Sequence, residues 1–296
     1  MIAIAAVMTL LTQQPPRAGA LARARPVIDR LASSINGRIG AAAMIVETGD
    51  LVSTHGDDRF PMQSVYKVPI AMAVLQRIDR ESVRLSQVMH VRRVDLVPDV
   101  HSQIRDLNPD GTSLTVRELL RAAIVESDGT ASDLLLVLTP PADVTAMVRK
   151  LGIDGMVIAT KEREMAANEM AQYQNWSTPR AAVQLLRALQ QGRGLSAPSR
   201  VLLLGWMTET PIGDKRIKGL LPAGTAVAHK TGLDRTRKGL TRATNDIGIV
   251  TLPNGRHLAI AVFVKDSRAT EAQRELVIAK IARAAWDAAT ARPGGK

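Results

Sequence analysis

Ser64 and Lys67 stand three residues apart, a spacing that puts a hydroxyl and an amine on one face of a helical turn. A serine hydroxyl is a poor nucleophile until a base takes its proton, and a lysine does so when burial or neighbouring cations depress its pKa. Alone, the pair is a common coincidence. Three further elements follow it: Ser127-Asp128-Gly129, Glu164 with Asn168, and Lys230-Thr231-Gly232. A second hydroxyl, Ser127, can relay a proton to a leaving nitrogen. Lys230 supplies fixed positive charge, Thr231 a hydroxyl donor, and Gly232 close backbone approach. Glu164 and Asn168, four residues apart in the polar stretch 161–177, are expected to pin one water between acid and amide, making Glu164 a general base for hydrolysis. Singly these are a turn, a strand end and a solvated loop. In this order they are a constellation that suits an activated serine with a water-activating acid nearby.

The remaining composition narrows the chemistry. With no cysteine among 296 residues there is no disulfide framework and no thiolate nucleophile. The five histidines, His55, His90, His101, His229 and His257, show no metal-binding spacing, so neither a metal nor another cofactor is expected. The net charge of +11 would suit a polyanion, but the basic residues are dispersed and aromatics make up only 2%. The charge therefore reads as a solvated surface that can draw in a small anionic substrate, and no nucleic-acid partner is expected.

The elements that must position these residues form a consistent pattern. Residues 40–47 read as a strand and residues 50–55 as its hairpin partner, with further strands at 226–231, 245–252 and 257–265, the last two joined by Pro253-Asn254-Gly255. Apolar spacing predicts helices over 64–80, with Pro69 in its first turns, and over 114–125, 131–138, 141–151 and 271–289. Strands at both ends around a helical middle predict an α+β fold: a five-stranded antiparallel sheet built from both termini, flanked by helices, with an inserted all-α lobe. The expected division is 25–60 plus 210–296 for the sheet part and 61–209 for the helical lobe. Residues 1–24 read as an export signal, from the apolar run Met1–Leu11 and the small residues Ala18-Gly19-Ala20, although no basic residue precedes the run. A periplasmic or secreted monomer, without stable membrane association once the leader is removed, is the corresponding expectation.

Together the four elements resemble the serine penicillin-recognising enzymes, specifically the class A β-lactamases, whose fold is shared with D-Ala-D-Ala peptidases. Gln172-Tyr173-Gln174-Asn175-Trp176, the segment 218–225 and Ala243-Thr244-Asn245-Asp246 are similar to the divergent branch with the PER- and VEB-type extended-spectrum enzymes. The resemblance implies that Ser64 attacks the lactam carbonyl, Lys67 manages proton transfer and Ser127 protonates the departing ring nitrogen. It implies an oxyanion hole from the N–H groups of Ser64 and Leu233. Lys230 and Thr231 would hold the substrate carboxylate, with Arg216 as auxiliary guanidinium, and Glu164 with Asn168 would activate the deacylating water. His101 falls where relatives carry an aromatic gate. Gly129 replaces an Asn that contacts the substrate's acylamido group, and Leu233-Asp234 puts an apolar chain and an acid where relatives often have small or hydroxyl residues. Asn175 stands about where familiar class A enzymes close the loop with an Asp. A D-Ala-D-Ala peptidase and a non-hydrolysing β-lactam-binding module are the competing readings. The expected deacylating loop argues against the peptidase, whereas Gly129 and Asp234 keep the binding module in play.

Overall fold

The structure, a computed structural model, describes residues 19–291. The chain enters through a short 3-10 turn, Ala20–Ala24, then α1 (Arg25–Ala32), β1 (Arg38–Ile45) and β2 (Leu51–Thr54). A short strand, β3 (Phe60–Pro61), leads to a 3-10 turn over Gln63–Tyr66 and to α2 (Lys67–Asp79). Next come β4 (Val88–Arg92), α3 (Gln103–Leu107), β5 (Gly111–Thr115), α4 (Val116–Val125), α5 (Gly129–Leu138) and α6 (Pro141–Lys150). The strand β6 (Met156–Val157), α7 (Glu162–Ala167), β7 (Trp176–Ser177), α8 (Pro179–Gln190) and α9 (Ala197–Glu209) complete the helical portion. The chain ends in β8 (Val227–Leu233), β9 (Thr241–Thr251), β10 (His257–Ser267) and α10 (Glu271–Thr290).

The five-stranded antiparallel sheet is present, in the order β2-β1-β10-β9-β8, so strands from both ends of the chain interleave. Arg38 of β1 pairs with Lys265 of β10, and Lys230 of β8 with Ile247 of β9. Because side chains alternate across a strand, the sheet feeds two cores. Met44, Ile247, Ile249, Ala261 and Phe263 face the helical lobe and α8, whereas Ile39, Ala43, Ile45, Val262 and Val264 face α1 and α10. The first of these cores runs without a break into α2, α4 and α5. Helices and sheet are thus held as one packed body around the gap between them.

Three departures from the sequence expectation have physical causes. The stretch 61–209 is mostly helical but carries two small sheets, β3-β7-β6 and β4-β5. The helix expected from Ser64 opens as a 3-10 turn, and Pro69 falls at the third position of α2, where its missing N–H is no loss. Residues 20–24, read as the end of a leader, belong to the folded body. Leu21 is fully buried in the α10-side core, and its N–H donates to Asp50 Oδ2 at 3.0 Å. The apolar run Met1–Leu11 and Ala18 lie outside the described residues.

Candidate active site

The serine sits at the corner between β3 and α2. In a 3-10 turn residues i and i+3 eclipse, so Lys67 comes directly over Ser64. The residue before the serine, Gln63, holds φ +46°, a strained conformation of the kind concentrated at functional sites. Lys67 is buried, and its Nζ donates to Ser64 Oγ at 3.0 Å and to the carbonyl oxygen of Ser127 at 2.7 Å. The same Nζ forms an ion pair with Glu162 Oε1 at 2.9 Å.

Ser127 is turned by a positive φ of 61°, which aims its hydroxyl back toward the cleft. Its Oγ accepts from Lys230 Nζ at 2.9 Å, so two buried lysines meet on one serine. Lys230 also donates to the Thr231 carbonyl at 3.1 Å. Burial first, and the Lys67 cation second, hold the Lys230 pKa well below the ordinary lysine range. Gly232 lets the end of β8 lie against the serine corner. A Cβ there would stand 2.4 Å from the Met62 carbonyl oxygen and 3.3 Å from Ser64 N. Asn245 seals the back of this contact, donating to the carbonyls of Pro61 and Met62 at 2.8 and 3.0 Å.

The loop 161–177 departs from the sequence expectation. Glu164 points outward: its Oε2 accepts from Thr160 Oγ1 at 2.5 Å and from Lys161 N at 2.9 Å, capping α7. These two hydrogen bonds lower its pKa. Asn168 is exposed, and its side chain caps Met170 N at 3.0 Å. The carboxylate delivered to Lys67 belongs to Glu162, which is buried. Two residues along a helix are about 200° apart, so Glu162 and Glu164 cannot both face the site. Met165, buried and three residues after Glu162, marks the inward face, and this apolar i+3 neighbour was the sequence signal for Glu162.

Asp133 of α5 fixes the start of α7. Its carboxylate accepts from Glu162 N at 2.7 Å and Arg163 N at 3.1 Å, and burial pushes its pKa up to about 6. Tyr66 is fully buried, and burial together with the nearby Glu162 charge raises its pKa well above the usual range, so it stays protonated. Asn175 closes the neck of the loop, accepting from Ala159 N and Thr160 N at 2.8 and 3.0 Å and donating to Thr160 O at 2.9 Å.

The remaining candidates frame a cleft of about 600 Å³ containing Ser64, Lys67, Ser127, Glu162 and Thr231. His101 and Leu233 line it and are exposed. Asp234 also lines the cleft and accepts from Gln172 Nε2 at 3.1 Å, while Gln63 Nε2 donates to Gln172 Oε1 at 2.7 Å. Gly129 is buried behind the wall. Arg216 does not line the cleft. It is buried against Glu275 at 3.2 Å, donating to the Asn245 carbonyl at 3.1 Å and lying 3.5 Å from that of Gly232. It therefore braces β8 from behind. Among the described residues, no cluster of three or more His, Asp or Glu side chains could hold a metal.

The sheet-and-helix frame that carries this serine with its lysine and buried carboxylate, and the second serine held by a second lysine, is that of a class A β-lactamase. The chain belongs to the β-lactamase enzyme family, whose model matches residues 23–289. It is 41% identical over 231 residues to the extended-spectrum β-lactamase PER-1 of Pseudomonas aeruginosa, covering 77% of this chain and 75% of that one. It is 37% identical over 263 residues to β-lactamase VEB-1 of the same organism, covering 88% of each. Among solved structures, a β-lactamase from Chitinophaga pinensis superposes with TM-score 0.87 at 46% identity, over 90% of this chain and 99% of that one. The extended-spectrum β-lactamase TLA-1 gives TM-score 0.89 at 38% identity, over 92% and 100%. The protein hydrolyses the β-lactam amide through a serine acyl-enzyme.

Proposed function

We propose that Ser64 is the residue acylated and Glu162 the residue that releases it. In this reading Ser64 passes its proton to the Lys67–Glu162 pair as Oγ attacks the lactam carbonyl, and the N–H groups of Ser64 and Leu233 receive the developing oxyanion. Ser127, held by Lys230, delivers a proton to the ring nitrogen as the C–N bond breaks. Lys230 and Thr231 hold the substrate carboxylate. Glu162 then takes a proton from the water that attacks the acyl carbonyl, and Ser64 leaves. The single observation carrying this reading is Lys67 Nζ, hydrogen-bonded to Ser64 Oγ and Ser127 O and ion-paired with Glu162 Oε1, each within 3.0 Å.

The test is hydrolysis of a chromogenic cephalosporin by wild type, Glu162→Gln and Glu164→Gln, with intact-mass measurement of the quenched protein. Accumulation of an acyl adduct on Ser64 in Glu162→Gln alone supports the assignment. An adduct that accumulates in Glu164→Gln while Glu162→Gln turns over normally overturns it. The apolar run Met1–Leu11 and the small residues before Ala20 support an exported, periplasmic or secreted enzyme acting on β-lactams. Fractionation of an expressing bacterium checks that placement.

A further inference from the structure

The two lysines of the site are buried, but only one of them has an acid beside it. Lys67 is paired with Glu162 at 2.9 Å. Lys230 Nζ donates to the neutral oxygens of Ser127 Oγ and Thr231 O, at 2.9 and 3.1 Å, and among the described residues it forms no ion pair. Burial favours the uncharged amine, so an ammonium without a counter-ion is costly there. An uncharged Lys230 would lose its attraction for an anionic substrate.

A fully buried acid stands on the other side of the strand. Side chains alternate along β8, so His229 projects away from the face that carries Lys230. Asp246 lies on β9 opposite Thr231, one place from Ile247, the partner of Lys230. Its two oxygens accept from His229 Nδ1 at 3.0 and 3.1 Å, and Oδ2 also accepts from Ile217 N at 3.1 Å. Gly248, opposite His229 in the ladder, makes room for the histidine: a Cβ there would stand 2.8 Å from His229 Cβ. Burial lowers the Lys230 pKa most. Of the charges facing this lysine, Lys67 on α2 and Arg216 ahead of β8 also lower it, whereas Asp246 on β9 and Glu162 on α7 raise it. Glu162 is committed to Lys67, Arg216 is matched by Glu275, and Arg274 of α10 donates to Thr244 Oγ1 at 2.8 Å. Among the described residues no lysine or arginine pairs with Asp246, so its charge acts on groups a little further off.

We propose that Asp246 is a positioning residue, the counter-charge that acts across the sheet to keep Lys230 an ammonium able to hold the substrate carboxylate. This rests on the reading of Lys230 given above. His229 fixes the place of the carboxylate and Gly248 admits His229, so the three residues form one unit behind the cleft. Asp246 touches no substrate and acts only through Lys230.

The experiment is the pH dependence of kcat and KM for benzylpenicillin, an anionic substrate, in wild type, Asp246→Asn, Lys230→Arg and the double variant. Asp246→Asn should move the alkaline limb of kcat/KM down by about one pH unit, the scale of a unit charge removed several ångströms away inside a protein, and the loss should fall on KM. In the Lys230→Arg background the same change should leave the limb where it is, because a guanidinium keeps its charge throughout. A merely structural role for Asp246 would lower activity alike in both backgrounds without moving the limb. Thermal melting checks that each variant folds, and Asp246→Ser, a smaller neutral acceptor, takes the place of Asp246→Asn if that variant does not. Wild type gives an independent reading: NMR of carbon-labelled lysine side chains, assigned by the signal lost in Lys230→Arg, should show Lys230 titrating above neutrality. An unmoved limb in Asp246→Asn, an equal shift in both backgrounds, or a wild-type Lys230 already uncharged at neutral pH would overturn the proposal. An alkaline limb that Lys230→Arg itself leaves in place would instead sink the reading of Lys230 on which the proposal rests.

Discussion

In the proposed reaction the serine corner and the loop 161–177 supply opposite halves, and the two are built on different physical principles. At the corner, Ser64 and Lys67 are joined by one turn of backbone, and Ser127 and Lys230 reach the same point from α5's approach and the edge of β8. Local geometry alone puts the first two side chains together. In the loop, two glutamates compete for one role within six residues of helix, and a contact with α5 decides between them. Asp133 takes the N–H groups of Glu162 and Arg163, which rotates α7 until Glu162 faces Lys67 and Glu164 faces water. Chemistry set by local spacing can be read from a motif, whereas chemistry set by a partner some thirty residues away in the chain requires the fold.

The contrast can be broken most severely at the corner. Ser64→Ala should reduce kcat/KM by on the order of 10⁴-fold or more, measured by steady-state hydrolysis, because Ser64 Oγ is the hydroxyl that Lys67 Nζ holds. Next in size is the loop's own carboxylate. Glu162→Gln should lower kcat by roughly 10³-fold with an acyl-enzyme visible by mass, the scale of losing a positioned general base. By contrast, Glu164→Ala should cost about 1 kcal/mol of stability in chemical denaturation through its lost cap, with kcat within about ten-fold of wild type.

Two smaller predictions sharpen the comparison through pH. Lys230, its pKa depressed by burial and by Lys67, loses its charge earlier on the alkaline side than an exposed lysine. The alkaline limb of kcat/KM should therefore appear as a rise in KM for the anionic substrate, and Lys230→Arg should shift that limb to higher pH. At Asp133 the sign runs the other way. Its folded pKa of about 6 lies above the ordinary 3.8, so the native state binds a proton before the unfolded state as pH falls. This group's contribution to stability thus rises between pH about 6 and about 4, by about 3 kcal/mol from the size of the shift. In Asp133→Asn that rise should be missing. Denaturation curves taken across this range would show the variant losing stability relative to wild type with acidification, by about 3 kcal/mol, and a constant difference would refute the assignment.

Much of this architecture was legible in the residue pattern. Short, nearly continuous apolar runs over 40–47 and 257–265, with a turn at Pro253-Asn254-Gly255, were enough for the sheet, and the periodicity from Val65 to Leu75 for α2. That Ser64, Lys67, Ser127 and Lys230 meet was legible because residue type and order in the chain suffice to group them. Glu162 was not, because an acid four residues before an amide is a plausible water clamp whichever way the helix faces. Arg216 was misplaced for a similar reason. Its side chain is claimed by Glu275 on α10, a partner that no spacing in the sequence reveals. Burial of Leu21 was hidden by a run of small residues that reads equally well as a processing site.

The pairing of Arg38 with Lys265 sets the order in which the molecule can assemble. One edge of β1 finds β2 soon after synthesis, but the other waits for β10. At ordinary elongation rates that interval is on the order of ten seconds or more. For that time α2 and its neighbours can take up helix while the strand that floors them keeps an open hydrogen-bonding edge. Whatever forms earlier, the surroundings of Ser64 are complete only when the C-terminal hairpin closes the sheet. Loss of residues from the C-terminus should silence the enzyme without touching any group that takes part in the chemistry.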